Sequence, residues 1–203
     1  RRELLGSSHR ETLTSMRRLA SIYRQQGGKH KQAEQLYRQV IEGREQMLGP
    51  DNPDTINAIA GLGLLYEEMG EFEEAEKMYQ RVLDYRQRIL GTKHPLVFTA
   101  MLNLADIIKE KGDAGYAERL YKQCLEGREN ALGADHKKTN SARYRFALLL
   151  SEQGRLDESI ELRRRELACC REHYGGTDPS TLTSINGLAA DLRKNGELFE
   201  SEQ

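Results

Sequence analysis

The sequence predicts an all-α fold in which helical hairpins stack into a solenoid, and three observations carry this prediction. A dipeptide that ends in glycine recurs at intervals of 43, 42, 42 and 42 residues, as expected for a chain of structural repeats. Between these dipeptides, apolar residues recur three and four positions apart, which places them on one face of a helix. No segment alternates convincingly with a period of two, so no strand is predicted. The dipeptides are Leu5-Gly6, Leu48-Gly49, Leu90-Gly91, Leu132-Gly133 and Tyr174-Gly175.

Each repeat is predicted to contain two amphipathic helices joined by a tight turn. The first helix carries a large apolar residue followed by a small one, and a later glycine marks where that helix ends. Small residues let two helices cross closely, and one hairpin cannot bury its apolar face alone. Stacking of successive hairpins therefore gives a continuous core. The large-small pairs are Leu19-Ala20, Leu62-Gly63, Leu104-Ala105, Phe146-Ala147 and Leu188-Ala189.

The period arranges the chain as a single array with incomplete ends. The first six residues have the pattern of the tail of a preceding repeat, and the last segment stops just as a second helix begins. The chain is therefore expected to be a segment of a longer protein. The predicted array covers 1–203, with a tail over 1–6, repeats at about 7–48, 49–90, 91–132 and 133–174, and a truncated repeat over 175–203.

The joints between repeats, such as "MLGPDNPDT" at residues 47–55, are predicted to be structural and not catalytic. Gly49 ends a second helix, and Pro53 suits the first turn of the next helix with Asn52 as its cap. Asp54 then meets the positive end of that helix. Later joints keep the glycine while their polar residues change, so the joint sets the period and carries no expected chemistry.

The composition limits the classes of partner. The 203 residues include 31 basic and 32 acidic side chains, and the net charge of −1 gives no global field that favours nucleic acid or an anionic membrane. No stretch approaches the roughly 20 apolar residues that span a bilayer, and the start lacks the apolar core of a signal peptide. Cys124, Cys169 and Cys170 show no disulfide framework spacing. These features predict a cytoplasmic protein without membrane or nucleic-acid partners.

No motif in the sequence predicts catalysis, a cofactor or a metal. No serine, cysteine or histidine lies in a recognisable nucleophile motif. Cys169 and His173 are four residues apart, but two ligands fall short of a structural zinc site. The stretch "GLGLLY" from Gly61 to Tyr66 lies within a first helix and lacks the third glycine of a dinucleotide-binding fingerprint. The chain is therefore predicted not to be an enzyme.

The order of residues in each unit resembles the tetratricopeptide repeat, with a large-small pair and tyrosine in the first helix, then glycine, then alanine and tyrosine in the second. The 42-residue unit with "LGPDNPDT" or "LGTKHPLV" between repeats is similar to the form found in kinesin light chains. The resemblance covers essentially the whole chain and implies a right-handed α-solenoid that binds protein partners without catalysis. Similar arrays also occur in nephrocystin-3-like proteins and behind the NTPase modules of STAND-type proteins.

In tetratricopeptide arrays the first helices line a concave groove that accepts an extended peptide or a partner helix. The residue before the large apolar residue usually faces this groove, and residues one turn earlier share its face. Arginine offers a donor fork for carboxylates and asparagine can pair with a peptide bond, so an acidic peptide is expected, with an aromatic residue docked in a gap at Gly61. The resemblance thus implies the groove residues Arg18, Asn57, Asn103, Tyr144, Arg145 and Asn186.

Alternatives to a peptide groove stay open at this stage. The groove arginines can be solvated or paired with glutamates such as Glu67 and Glu68. The array can also be a structural spacer or a self-association surface. A third alternative is the ligand-sensing repeat region of a larger STAND-type NTPase.

Charged residues replace packing residues in the fourth repeat. Arg143 stands where earlier repeats have methionine or isoleucine, Arg163 replaces the repeated tyrosine, and Glu166 replaces valine or cysteine. Charges at packing positions are costly unless they are paired. Since Arg163 and Glu166 are three residues apart on one helix, they are predicted to form a partly buried ion pair.

Overall fold

The computed structural model describes residues 9–196, and every regular element within that range is an α-helix. The chain divides into two compact units, one ending at Lys111 and the other beginning at Gly112. The all-α class predicted from the repeat period is confirmed. The predicted tail over 1–6 and the second helix expected to start after residue 196 lie outside the described residues, and the single array stays a prediction.

The first unit contains five helices within its described residues. They are α1 (Arg10–Gln26), α2 (His30–Leu48), α3 (Pro53–Met69), α4 (Phe72–Leu90) and α5 (Pro95–Glu110). Each helix from α1 to α4 packs on the next one in the chain, and α1 also contacts α3. The core includes Ile59, Tyr66, Tyr79 and Leu104, all at most 2% exposed. Tyr66 of a first helix and Tyr79 of a second helix therefore lie inside, where they pack the hairpins together.

The second unit contains four helices within the part that is described. They are α6 (Ala114–Leu132), α7 (Lys137–Glu152), α8 (Leu156–Tyr174) and α9 (Pro179–Lys194). Each again packs on the next one in the chain. The rings of Tyr121 and Phe146 stack with their centroids 6.4 Å apart. Several charged side chains are buried in this unit, whereas Arg44 is the one buried charged residue in the described part of the first unit.

A side chain just before each first helix caps that helix. The Asn52 Oδ1 atom accepts a hydrogen bond from the Asp54 amide at 2.9 Å and Pro53 begins α3, which confirms the predicted joint. A cap of this kind is worth about 1 kcal/mol because it satisfies an amide that the helix leaves unpaired. The capping residues are His9, Asn52, His94, His136 and Asp178.

A recurring threonine, here called the joint threonine, closes three of the joints. The Thr55 hydroxyl is buried and donates to the Gly49 carbonyl at 3.1 Å, which satisfies an acceptor that the end of α2 leaves unpaired. The joint before α5 has Val97 in this place and so lacks the bond. The equivalent bonds join Thr139 to Gly133 and Thr181 to Gly175, at 2.8 and 2.7 Å.

A recurring arginine, here called the joint arginine, forms a second hydrogen bond across the joint. The Arg86 Nη1 atom donates to the Leu96 carbonyl at 3.0 Å. Arg44 and Arg128 make the equivalent bonds, and their burial lowers the pKa of both guanidinium groups. The next residue in this series is Cys170, so the joint before α9 has no joint arginine. The carbonyl partners of Arg44 and Arg128 belong to Asp54 and Lys138.

Candidate interaction surfaces

Three predicted groove residues of the first unit present unpaired polar groups. Arg18 on α1 and Asn57 on α3 are exposed, and Asn103 on α5 is partly buried. Within residues 9–196, none of the three has a hydrogen-bond or ion-pair partner. A ligand can therefore reach the guanidinium and amide groups without displacing another residue of the described chain.

The gap predicted at Gly61 is filled from within the chain. The Tyr37 ring on α2 packs against Gly61, and a Cβ atom there would lie 2.7 Å from the Tyr37 Cε1 atom. Gly61 is therefore a position of close packing between α2 and α3. The prediction that an aromatic ligand residue docks in this gap is wrong, because a neighbouring repeat already supplies the aromatic ring.

The glutamates considered as alternative partners for the groove arginines are bound elsewhere. Glu68 pairs with Arg24, and Glu67 accepts a hydrogen bond from the Tyr79 hydroxyl at 2.6 Å. Burial, together with this carboxylate, raises the pKa of the Tyr79 phenol. In the described part of the first unit, neither glutamate pairs with Arg18.

In the second unit, Tyr144 lines an open pocket between α7 and α9, here called the α7–α9 pocket. The cavity has a volume of about 380 Å³, and Ser141 and Thr183 line it beside Tyr144. Arg145 is partly buried and Asn186 is exposed, and neither lines this pocket. The structure thus brings Tyr144 together with one hydroxyl residue of α7 and one of α9. Arg145 and Asn186 stay outside the cavity.

The α7–α9 pocket reaches inward to buried polar groups of α7 and α8. Asn140, Glu166 and Cys170 line it, and all three are buried. The Glu166 Oε1 atom accepts a hydrogen bond from the Ser184 hydroxyl, and the Asn140 amide donates to the Glu166 carbonyl at 3.1 Å. The Glu166 Oε2 atom is buried without a hydrogen-bond partner in the described chain. Burial raises the pKa of the Cys170 thiol.

Arg163 does not pair with Glu166 as predicted. Its Nε atom lies 2.6 Å from the Asp191 Oδ2 atom, and the two residues are only 4% and 1% exposed. The hydroxyls of Ser151 and Ser159 donate to the same carboxylate at 2.5 and 2.6 Å. The prediction is therefore wrong about the partner of Arg163, which lies on another helix. It is also wrong about the burial, since the pair is fully buried.

Gly187 allows this arginine to lie in the interior. A Cβ atom at Gly187 would stand 2.9 Å from the Arg163 Cζ atom, so the guanidinium needs the space that a side chain would fill. Gly61 and Gly187 occupy the same place in their repeats, and each receives the side chain of the preceding second helix. The predicted gap at Gly61 and the equivalent position Gly187 are therefore both packing positions.

Arg143, the third charged replacement, is also paired. Its Nη2 atom lies 3.1 Å from the Glu129 Oε1 atom, and its Nη1 atom donates to the Asn140 Oδ1 atom at 2.9 Å. Arg143 is 2% exposed, so this pairing offsets the cost of removing the charge from water.

Two residues that matter in the second unit were missed from the sequence. Asp191 stands where earlier repeats have Leu65, Ile107 and Leu149, and a charge in that apolar series is a detectable signal. Cys170 interrupts the series of joint arginines, which is detectable in the same way. In both cases, comparing equivalent positions of the repeats identifies the exceptional residue. The partner of that residue depends on which helices are in contact.

The described residues hold no group of three or more side chains suited to a metal ion. The Cys169 Sγ atom lies 3.6 Å from the His173 Nδ1 atom, and the thiol is also within 3.4 Å of the Asp135 carbonyl. In the described range, no helix is both long and apolar enough to cross a membrane.

Comparison with known proteins places this helical-repeat chain in a family. The family model of the tetratricopeptide repeat matches residues 1–46, 28–88 and 54–130, which overlap to span more than half of the chain. The chain therefore belongs to the tetratricopeptide repeat family. No curated protein sequence matches the chain.

Solved structures of repeat proteins share the fold. A Podosopora anserina protein, described as a kinesin light chain with nearly identical TPR-like repeats, is 24% identical with a TM-score of 0.80, over 96% of this chain and 92% of that one. BtubC (BKLC) from P. vanneervenii is 22% identical with a TM-score of 0.81, over 98% and 86%. The MamA protein is 16% identical with a TM-score of 0.62, over 94% and 86%. At these identities the likeness shows the fold alone.

Proposed function

We propose that the chain is a protein-interaction module in which the first helices bind an extended acidic peptide or a partner helix. Tetratricopeptide repeats generally mediate protein–protein interactions, and their scaffold is typically non-enzymatic. The observation that carries the proposal is the set of groove residues Arg18, Asn57 and Asn103, whose polar groups have no partner within residues 9–196. Unpaired donors on successive first helices favour a ligand that runs across those helices.

The chemistry of these residues favours carboxylates and peptide groups. Arg18 offers a planar fork of donors that matches a carboxylate, and Asn57 and Asn103 can each pair with both groups of a peptide bond. In the second unit, Tyr144, Arg145 and Asn186 extend the same set of chemical groups. The contacts lie at the surface, so we expect a dissociation constant in the order of micromolar that rises with salt.

The test is charge reversal at the two groove arginines. Arg18→Glu with Arg145→Glu should weaken binding of an acidic peptide at least about tenfold, because each change replaces attraction by repulsion. Isothermal calorimetry at two salt concentrations measures the effect. A matched control is Lys31→Glu with Lys122→Glu, which makes the same change in charge at exposed positions on the second helices.

The outcome separates the proposal from its alternatives. Equal binding by the groove variant and the control variant would rule out the arginine mechanism. A mass that rises with concentration in light scattering, without peptide binding, would favour a self-association surface instead.

We propose in addition that the module is cytoplasmic and has no catalytic activity of its own. Three buried free thiols, at Cys124, Cys169 and Cys170, support a reducing compartment. Burial raises the pKa of the Cys124 thiol to about 11, so this group stays protonated and unreactive at neutral pH.

A further inference from the structure

The joint before α9 differs from the other joints in one buried side chain. Arg44, Arg86 and Arg128 each donate to a main-chain carbonyl ten residues further along the chain. At the equivalent positions of the joint before α9, Cys170 stands in place of the arginine, and the carbonyl ten residues further along is that of Ser180. A thiol is much shorter than an arginine and carries no charge, so the joint lacks both the volume and the charge of a guanidinium.

The α7–α9 pocket lies at the joint before α9. Cys170 and Ser180 both line it, together with Glu166. Its volume of about 380 Å³ is within the range of sites that bind small groups. The cavity therefore coincides with the space that a joint arginine would fill.

The pocket also contains an acceptor that the chain does not satisfy. Glu166 is 4% exposed, and its Oε2 atom has no hydrogen-bond partner in the described range. A buried carboxylate oxygen without a donor is unfavourable, so a donor that arrives from outside is stabilised. Glu166 lines the pocket, and the broad terminal torsion of glutamate lets its carboxylate turn toward an incoming donor.

Two tyrosines flank this acceptor. Tyr144 lines the pocket from α7 and Tyr174 lines it from α8. The Lys137 Nζ atom lies 4.7 Å from the centre of the Tyr174 ring, at the exposed rim. The rim lysine therefore contacts an aromatic face. The Arg163 Cζ atom lies 6.0 Å from the centre of the Tyr144 ring, and its guanidinium pairs with Asp191 and not with Glu166.

We propose that the α7–α9 pocket binds an arginine side chain of a protein partner, whose guanidinium replaces the joint arginine missing at Cys170. The proposal rests on the proposed function because it requires a protein partner, but it does not require acidic residues in that partner. A guanidinium fits better than an ammonium, since its planar fork can donate to the Glu166 carboxylate and the Ser180 carbonyl together.

The experiment uses blocked arginine as the probe. Nα-acetyl-arginine amide is titrated into the protein while the backbone amide signals of Tyr144, Cys170 and Ser180 are followed by nuclear magnetic resonance. We expect saturable shifts with a dissociation constant of about 1 mM, as suits a single small side chain. The matched probe is Nα-acetyl-citrulline amide, which has nearly the same shape without the charge and should bind at least about tenfold more weakly.

Two variants test the site itself. Glu166→Gln keeps the shape of the side chain and should weaken arginine binding about tenfold, with no change for citrulline. Cys170→Arg restores the joint arginine within the chain, so it should fill the pocket and abolish arginine binding. If Cys170→Arg fails to fold, as judged by circular dichroism, the Glu166→Gln comparison still decides.

Equal binding of the arginine and citrulline probes, or undiminished arginine binding by folded Glu166→Gln, would overturn the proposal. The result is independent of the acidic-peptide test. Equal acidic-peptide binding by the groove variant and the control variant would reject the proposed acidic-peptide mechanism, while arginine-probe binding would remain intact.

Discussion

Arg163 and Asp191 show how a charge can replace an apolar contact inside a repeat. The earlier repeats place a tyrosine and an aliphatic residue at these two positions, and Tyr37 there packs against Gly61. Arg163 packs against Gly187 in the same manner and adds an ion pair with Asp191. Because attraction within a buried pair roughly balances the cost of removing both charges from water, such a pair sets which helices meet more than it adds stability.

The first prediction concerns this pair. Asp191→Ala should lower the free energy of unfolding by about 3–5 kcal/mol, since it leaves the Arg163 guanidinium buried and unpaired. Arg163→Tyr with Asp191→Leu, which restores the residue types of the earlier repeats, should recover at least half of that loss. Urea unfolding followed by circular dichroism measures both.

Glu161→Ala on the exposed face of α8 is the control, and it should change stability by less than about 1 kcal/mol. A loss below about 1 kcal/mol for Asp191→Ala would contradict the buried pair.

The second prediction concerns pH. Burial alone would raise the pKa of the Asp191 carboxyl, but hydrogen bonds from two serines and Arg163 outweigh burial and hold that pKa below its usual value. In the unfolded chain the pKa is about 3.9. The stabilisation is therefore complete above about pH 4 and is lost as the pH falls through the lower, folded-state pKa.

Urea unfolding between about pH 2 and pH 5 should show a steeper loss of stability for the parent protein than for Asp191→Asn, which cannot titrate at this position. Parallel curves for the two proteins would show that Asp191 does not carry the acid sensitivity.

At the scale of the helices, the joints determine how one hairpin leads into the next. Each described first helix is capped by the side chain before it, and the joint threonine and joint arginine add hydrogen bonds across the turn. These bonds satisfy main-chain groups that helix ends leave unpaired. The structure of the joint therefore does not depend on one particular loop sequence. This explains why the polar residues of the joint vary while its glycine and its hydrogen-bonding pattern recur.

The third prediction tests the joint threonine. Thr181→Val removes the hydroxyl that donates to the Gly175 carbonyl and keeps the volume, so it should destabilise the protein by about 1 kcal/mol. Thr183→Val, on an exposed face of the same helix, is the matched control and should have a smaller effect. Thermal unfolding of the two variants side by side makes the comparison. Equal effects would mean that the joint bond contributes nothing specific.

At the scale of the whole molecule, one repeat plan supports two kinds of interior. In the described part of the first unit, Arg44 is the one buried charged residue, whereas the second unit buries Arg128, Arg143, Arg163, Glu166 and Asp191. The family match and the shared fold of the repeat structures account for the common plan. The charged interior of the second unit includes Glu166, which lines the α7–α9 pocket proposed to bind arginine.

The all-α class, the repeat family and the Asn52 cap of the joint before α3 could be predicted from the sequence. These follow from residues close together in the chain, where a period of 42 and helical spacing leave few alternatives. The sequence also placed Tyr144 on a wall that proves to line a pocket. Tertiary structure alone decided that Arg163 pairs with Asp191, that Tyr37 fills the space at Gly61, and that Glu166 keeps an unsatisfied oxygen. The reason is physical: a periodic pattern shows which residues face inward, but partners within the interior depend on which helices touch and at what distance.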